Sequence, residues 1–490
     1  YKSHYANRLP IGTKDVLENF KYEKLINFYK DWYRPDLMCV IVVGDVDVVQ
    51  MENKIKEHFS SYKNPKTKKP RKIFDVPNHK ETFICIESDK EASDVQVQLM
   101  YKDFGTPKAG QLVLDYKNDI VKGLFTTMIN NRLNELTHLP SPPFVYGFSY
   151  HGGTWARTKE GYQSFAMTQE DKQLEALKVL ITENERAKKY GFSQNELDRA
   201  KAETSARYQS MYNERSKTNS EDYVGEYQRN FLENEVVPGI EWEYASTNKL
   251  LSTIKLSDVN NLIKDYIKKE NRVVVLTGPE KEGLKKVTEQ EVLDVINIDD
   301  AGISPYKEIE TAKSLLKKEL VSGTVIKKEK NDAIGTTTLF LSNGAKVTYK
   351  KTDFKNDEIL MEAISIGGSN LYSNEEAIKV QFANGGLTEA GFSGLKQANI
   401  DQFMSGKIAS VRPYISNVTE GLKGSSTPND LVYLFQMIQS YMTDLNYDEE
   451  AFESYKQKQS AFFKNLASQP NVYFQQEFYG FLMKDNPRFV

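Results

Sequence analysis

The five histidines are the side chains best suited to binding a transition metal or moving a proton near neutral pH, and they lie far apart: His4, His58, His79, His138 and His151. A helical zinc site of the His-x-x-Glu-His or His-Glu-x-x-His kind needs two imidazoles three or four residues apart, so that both face one ion. The shortest interval here, 151 − 138, is 13 residues. We therefore expect no metal site within this chain.

Other catalytic motifs are also absent from the sequence. It contains no G-x-S-x-G nucleophile motif, no G-x-x-x-x-G-K-[ST] phosphate loop and no G-x-G-x-x-G dinucleotide motif. The stretch "GFSG" at 391–394 has the wrong spacing. Cys39 and Cys85 lie in apolar runs, which is typical of buried small hydrophobic residues, and two cysteines cannot form a disulfide framework. Motifs alone predict no catalytic centre.

Composition places the chain among ordinary globular proteins. Hydrophobic residues make up 39% and charged residues 27% of its 490 residues, and this length exceeds what one core supports. The longest apolar run, 38–43, is far shorter than the roughly 20 residues that span a bilayer. A net charge of −3 argues against a nucleic-acid partner.

Two segments of the chain share one pattern, which indicates an internal repeat. In the first, a helical stripe is followed by Pro35 and by "MCVIVVGD", which we interpret as a strand buried on both faces. The second segment, residues 250–279, has the same spacing. Its residue 254 corresponds to residue 20 of the first segment, so the offset between the two copies is 254 − 20 = 234 residues. The two stripes are Leu25, Phe28, Tyr29, Trp32 and Tyr33, then Val259, Leu262, Ile263, Tyr266 and Ile267.

The repeat predicts where its copies begin. Strands "ETFICIESD" and "DVQVQLMYK" open the second copy near residue 80, so the first copy would begin near 80 − 234 = −154. We therefore expect roughly 150 residues of a first domain to precede Tyr1. Gly191 predicts a helix end, and Ser193 with Glu196 a capping box for the next helix.

A third unit begins near residue 336. Asn343-Gly344 inside "TTTLFLSNGAKVTYKKT" predicts a hairpin, "EILMEAISIGG" a strand and "DLVYLFQMIQSYM" a helix. The expected fold class is α+β, with repeated two-layer domains of an antiparallel-rich sheet and helices on one face. The predicted divisions are the end of a first domain (1–63), a complete second domain (75–280), a connector (281–335) and a third domain truncated at its end (336–490).

Two stretches resemble the pitrilysin/insulinase family of zinc peptidases. "YANRLPIGTKDVLENF" with "LINFYKDWYRPDLMCVIVVGD" is similar to the segment that closes the family's first domain, and "FLSNGAKVTYKKTDF" to the hairpin that opens its repeated domains. The resemblance implies four homologous α+β domains in two halves, which close around an unfolded peptide. It also implies an inverted His-x-x-Glu-His zinc motif in the first domain, with zinc polarising the scissile carbonyl.

For this chain, the resemblance implies that the zinc ligands lie upstream of Tyr1. The matching stretch of the third unit, "QFANGGLTEAGFSGL", has no histidine and resembles the family's degenerate repeats. We predict the middle portion of a zinc metallopeptidase of extended peptides, which supplies substrate-chamber and scaffold domains and is inactive alone. The alternative is a non-catalytic homologue that serves as a partner subunit or scaffold of a peptidase complex. A weaker third possibility is a peptide-binding module without catalysis.

The resemblance also suggests site residues. Arg132 and Tyr146 are candidates for the arginine and tyrosine that the family places near the substrate carbonyl, although those belong to the last domain, so a structural role is favoured here. Gly152 and Gly153 resemble part of a distal substrate-anchoring surface, with a simple tight turn as the alternative. Expected partners are unfolded peptides or short protein substrates, and the N-terminal and C-terminal segments of the same protein, with no nucleic acid and no membrane span. The family suggests the bacterial periplasm or cell envelope.

Overall fold

The structure is a computed structural model that describes residues 2–8, 10–106, 110, 112–467, 469–484, 486 and 488. Tyr1 and Val490, the outer limits of the first and last predicted domains, lie outside the described residues. Of the helices in these ranges, none combines the length and the apolar character needed to cross a membrane.

The first segment is helical, with α1 (Lys14–Asn19), α2 (Tyr22–Trp32) and α3 (Val48–Phe59). Thr13 Oγ1 caps α1, and the Asp47 carboxylate accepts a hydrogen bond from the Gln50 backbone at the start of α3. As predicted, α2 ends just before Pro35, which begins a short 3-10 turn.

The predicted strand in "MCVIVVGD" is wrong. Residues 38–43 form no strand, and Met38, Val40 and Val42 are exposed. A strand exists only through hydrogen bonds to a neighbour, and no strand among the described residues pairs with this segment. The prediction that Cys39 is buried is wrong for the same reason, because this residue lies in the unpaired segment and is exposed.

A five-stranded sheet forms the centre of the second unit, in the order β1-β5-β2-β4-β3. Only the β1–β5 pair is parallel. The predicted strands near residues 83, 95 and 272 are confirmed. The strands are β1 (Phe83–Asp89), β2 (Val95–Lys102), β3 (Tyr146–Gly153), β4 (Glu160–Thr168) and β5 (Arg272–Pro279). Cys85 is exposed, contrary to prediction, because β1 is an edge strand that buries Ile84 and Ile86 on its other face.

Helices cover one face of this sheet and enclose the main hydrophobic core. They are α4 (Val113–Thr137), α5 (Gln173–Tyr190), α6 (Gln194–Asn213), α8 (Ile240–Leu251), α9 (Leu256–Tyr266) and α10 (Glu289–Ile296). A further helix, α7 (Ser220–Glu233), contributes no residue to this core. Gly191 ends α5 with a φ of +74°, and Ser193 with Glu196 forms the predicted capping box of α6. The predicted buried face of α9 is confirmed, since Val259 and Ile263 are fully buried.

Two smaller sheets follow in the last third of the chain. One has β6 (Val325–Asn331), β7 (Thr336–Leu341) and β8 (Lys346–Tyr349); the other has β9 (Ile359–Ile366), β10 (Ala409–Ile415) and β11 (Thr419–Ser426) in the order β10-β11-β9. The hairpin predicted at Asn343-Gly344 is confirmed, with Gly344 at a φ of +87°. β6 falls within the predicted connector but pairs with β7.

Helices lie between and after the strands of the β10-β11-β9 sheet, and some of them pack on it around a smaller core that contains Phe392, Leu422 and Leu434. They are α11 (Asn374–Gln381), α12 (Ala383–Ala390), α13 (Gln397–Met404), α14 (Leu431–Thr443), α15 (Glu449–Ala467) and α16 (Pro470–Leu482). The helix predicted at "DLVYLFQMIQSYM" is α14. The sheets are antiparallel-rich with helices on one face, so the predicted α+β fold class is confirmed.

Candidate functional site

The five-stranded sheet has one face free of helices. Along β2 and β4 the side chains alternate between fully buried, on the helical side, and half-buried, on the other side. This open face therefore mixes amide, thioether and aromatic groups, and such a surface can contact both the backbone and the side chains of a peptide. Its members on these two strands are Gln96, Gln98, Met100, Gln163, Phe165 and Met167.

Strand β3 lies at the edge of the same sheet and carries three of the predicted site residues. Tyr146 begins it on the open face, where its ring lies 5.5 Å from that of Phe148, and its side chain is 54% exposed. At the other end, Gly152 pairs with Gly161, and Gly153 pairs with Glu160. An edge strand presents backbone groups to which an extended peptide can add.

The backbone groups of β3 that face outward are partly covered. The Asn130 side chain of α4 donates to the Ser149 carbonyl (2.9 Å) and accepts from the Ser149 N–H (2.7 Å), as a neighbouring strand would. In an antiparallel ladder, outward-facing groups recur every second residue. The next such positions are His151 and Gly153, whereas the backbone of Gly152 faces β4. The open part of this edge is therefore its glycine end.

Arg132 is buried in the helical layer. Its Nε and Nη2 donate to the two carboxylate oxygens of Glu196 at 2.7 and 2.9 Å, and Nη2 also donates to the Gly191 carbonyl at 3.1 Å. The guanidinium lies between the rings of Phe192 and Tyr306, 4.5 and 4.2 Å from their centroids. Because Arg132 lies on the helical side of the sheet and Tyr146 on the open face, the structure does not bring the two candidates together.

The structure brings together three residues that the sequence analysis did not connect: Asp103, His151 and Glu160. His151 Nε2 lies 2.9 Å from Asp103 Oδ2, and Nδ1 lies 4.0 Å from Glu160 Oε2. A search for histidine pairs on one helical turn cannot find this cluster, because its members come from three adjacent strands and meet through the strand register. The hairpin "HGGTWARTKEG" is the only local signal that His151 and Glu160 could be neighbours.

Comparisons with known proteins point to one family. Residues 19–204 match the sequence profile described as the peptidase M16 inactive domain. A zinc protease PQQL-like protein of Arabidopsis thaliana is 27% identical over 80% of this chain and 38% of that protein. A probable zinc protease PqqL of Haemophilus influenzae is 24% identical over 95% of this chain and 50% of that protein. These matches support the M16 family. This is the pitrilysin/insulinase family suggested by the sequence.

Solved structures of M16 proteins share the fold. The periplasmic protease PqqL of Escherichia coli superposes with a TM-score of 0.52 at 19% identity, over 99% of this chain and 53% of that one. A mutant of the ferredoxin protease FusC, solved with Arabidopsis ferredoxin, gives a TM-score of 0.60 at 16% identity, over 98% of this chain and 53% of that one. The chain thus spans about half the length of the relatives it matches.

The residues of this chain do not fit the zinc site of an M16 peptidase. Such a site takes two histidines from one motif, and no two histidines here lie within 12 residues of each other. Within the described ranges, one group of three metal-ligating side chains has its ligand atoms within 4.8 Å of one another, Asp103 with His151 and Glu160, and it has a single imidazole. No catalytic step through zinc is therefore derived from this chain.

Proposed function

We propose that this chain supplies substrate-chamber and scaffold domains of an M16 zinc metallopeptidase that hydrolyses extended peptides, while other residues of the same protein hold the zinc. Relatives named as zinc proteases support the reaction class. One observation supports the proposal that other residues of the same protein hold the zinc. An apolar helix face is exposed in the first repeat and buried in the second.

The exposed face belongs to α2. Leu25 and Tyr29 are 59% and 60% exposed, whereas Val259 and Ile263, at the same repeat positions of α9, are fully buried. Burying such side chains contributes roughly 1.5–3 kcal/mol each, so an amphipathic helix that leaves them in water has an unfilled packing surface.

The second repeat indicates what would fill this surface. There, α9 packs against α4 and α5, and the strand after it, β5, lies between β1 and β2. Residues 38–43 are the repeat equivalent of that strand, and no strand among the described residues pairs with them. The matching partner is therefore another α+β half-domain, with two strands to flank 38–43 and two helices to cover α2. In the proposed protein, this half-domain carries the zinc motif.

The open face of the central sheet and the glycine end of β3 would contact the substrate. We propose that an extended peptide pairs with the backbone of β3 at Gly153. The same peptide would contact the open face on the side where Tyr146 is exposed. We assign Arg132 a structural role, because its guanidinium is already held by Glu196 and two aromatic rings. A relative named as a periplasmic protease supports export to a bacterial periplasm.

The experiment is to determine the coding sequence for about 160 residues ahead of Tyr1, which covers the roughly 150 residues that the repeat offset predicts. We expect a His-x-x-Glu-His motif followed by a more distant glutamate. Substituting the motif glutamate by glutamine in the whole protein should then abolish peptide cleavage and leave peptide binding intact.

The alternative of a non-catalytic partner subunit predicts a different result. A half-domain that lacks the two histidines would make the whole protein a scaffold or partner of a peptidase. If no coding sequence preceded Tyr1, the proposed partner of α2 would have to be another protein, and the proposal would fail.

A further inference from the structure

The second unit contains a cluster of possible metal ligands at one end of its central sheet. Asp103 follows β2, Glu160 begins β4 and His151 lies on β3, the outer strand. The Asp103 N–H donates to the Glu160 carbonyl at 3.0 Å, so these two residues are direct cross-strand neighbours. Side chains two apart on a strand share a face, which puts all three on the helical side of the sheet.

Two carboxylates directly opposite each other are electrostatically unfavourable unless a cation lies between them. Among the described residues, His151 is the only ion-pair partner within 4 Å of Asp103, and it is also the only one within 4 Å of Glu160. Neither carboxylate therefore has a lysine or arginine ion-pair partner among the described residues.

Tyr266 provides an independent observation. This side chain is 8% exposed, its ring stacks on His151 at 4.4 Å, and its hydroxyl has no hydrogen-bond partner. A buried, unpartnered hydroxyl is costly, and a water on an ion in this cluster would satisfy it.

We propose that Asp103, His151 and Glu160 form a structural site for a divalent transition-metal ion, with zinc as the preferred ion. One imidazole nitrogen and two carboxylate oxygens are suitable zinc ligands, and a water would complete a tetrahedral site. All three ligand atoms lie within 4.8 Å of one another. In a zinc site they would lie about 3.3 Å apart, and both carboxylates can move to that distance because they are one-third exposed.

The ion would stabilise the position of β3, the edge strand of the sheet. It would join β3 to β2 across β4 at the end where Gly152 and Gly153 leave the backbone most flexible. A cavity of 230 Å³, lined by Asp103 and Tyr266 among others, opens beside the cluster and gives an ion and water access to it.

The test is calorimetric titration of Zn²⁺ into the metal-free chain at pH 7.5, after removal of any histidine tag. We expect one saturable equivalent, together with a higher melting temperature in excess Zn²⁺. Asp103→Asn and Glu160→Gln should each weaken binding at least about 10-fold, and Tyr266→Phe about 10-fold with unchanged stoichiometry. Both carboxylates are partly exposed, so their amide variants should fold.

The matched control is His138→Ala. His138 also contacts two carboxylates, Glu389 at 3.0 Å and Asp401 at 3.8 Å, but does not form a group of three close ligand atoms with them. This variant should bind Zn²⁺ like the unaltered chain. The proposal is overturned if the chain takes up no equivalent of Zn²⁺, if the double variant Asp103→Asn/Glu160→Gln binds it unchanged, or if His138→Ala loses it equally.

Discussion

At the scale of single residues, the second unit is organised around charged groups placed inside it. Arg132 and Glu196 are both buried and make two charge-assisted hydrogen bonds. Glu196 also completes the capping box of α6. Such a pair stabilises a fold only while both partners are present, because each ion alone is left desolvated without compensation.

We therefore predict that Arg132→Leu lowers the free energy of unfolding by about 3–5 kcal/mol. Denaturant titration followed by circular dichroism would measure this change. The control is Lys379→Ala, which removes an exposed i,i+4 pair with Glu375 and should cost less than about 0.5 kcal/mol. An effect of Arg132→Leu as small as that of the control would contradict the structural role that we assign to this arginine.

A pH effect is expected at the start of α10. The hydrogen bond from Lys285, followed by those from the Thr288 backbone and hydroxyl, lowers the pKa of Glu291 to about 2 from its ordinary value of 4.5. Because the folded pKa is lowered, the stabilisation is complete above pH 4.5 and is lost as the pH falls towards 2.

Hydrogen exchange of the α10 amides would test this expectation. Protection should fall between about pH 5 and about pH 2 in the unaltered chain. Glu291→Gln cannot titrate at this position, so its protection should already be lower at pH 5 and change less on acidification. Identical pH profiles for the two proteins would count against a role for this carboxylate.

At the scale of helices and strands, glycines show how backbone geometry fixes element ends. Gly191 ends α5 with a φ of +74°, and a Cβ there would lie 2.6 Å from the Asn260 side chain. Gly123 lies within α4, and a Cβ there would meet no atom within 4 Å. The same substitution should therefore have opposite effects at the two positions.

We predict that Gly191→Ala lowers the free energy of unfolding by about 1–2 kcal/mol, because of the left-handed backbone and the contact with Asn260. Gly123→Ala should raise it by about 0.5–1 kcal/mol, because alanine loses less conformational freedom in a helix. Thermal melting of both variants and of the unaltered chain would measure the two changes in stability. A stabilising Gly191→Ala would contradict the geometry of this helix end.

The repeat permits a second comparison between elements. Ile263→Ala on α9 should lower the free energy of unfolding by about 2–5 kcal/mol, because the side chain is fully buried. Tyr29→Ala, at the equivalent position of α2, should cost less than about 1 kcal/mol in this chain. Chemical denaturation measures both values. Equal losses would show that α2 is already covered and would remove the main support for a missing half-domain.

Elements with a complete local signal were predictable from sequence. The Asn343-Gly344 hairpin, the Ser193–Glu196 capping box and the buried stripe of α9 each depend on residues close together in the chain. The segment 38–43 has an equally clear strand composition but forms no strand, because pairing depends on a neighbour. The cluster around His151 was missed because only the register of three strands brings its members together.

At the scale of the whole molecule, the segment between the second and third units is held on both sides. The Tyr190 hydroxyl donates to the Ile303 carbonyl at 2.8 Å, and the Tyr306 hydroxyl donates to the Glu135 carboxylate at 2.6 Å. The other oxygen of Glu135 accepts from Gln402 of the third unit at 2.9 Å. Glu135 thus links α4, the connecting segment and α13, and burial raises its pKa.

This arrangement suits a scaffold whose two units keep a defined position while other parts of the protein complete the chamber. The chain provides an open sheet face, an edge strand with a glycine end and an unfilled helix face, but no two-histidine zinc motif. We propose that the chain provides surfaces for substrate and for a zinc-bearing half-domain, and that it does not itself cleave peptides.

The most direct measurement of this claim is an assay of the purified, tag-free chain with an internally quenched extended peptide and added Zn²⁺, beside a whole M16 protease as positive control. We predict no cleavage above the buffer rate, with or without a chelator. Cleavage by the chain that a chelator abolishes would contradict the claim, because it would require a catalytic metal site within these 490 residues.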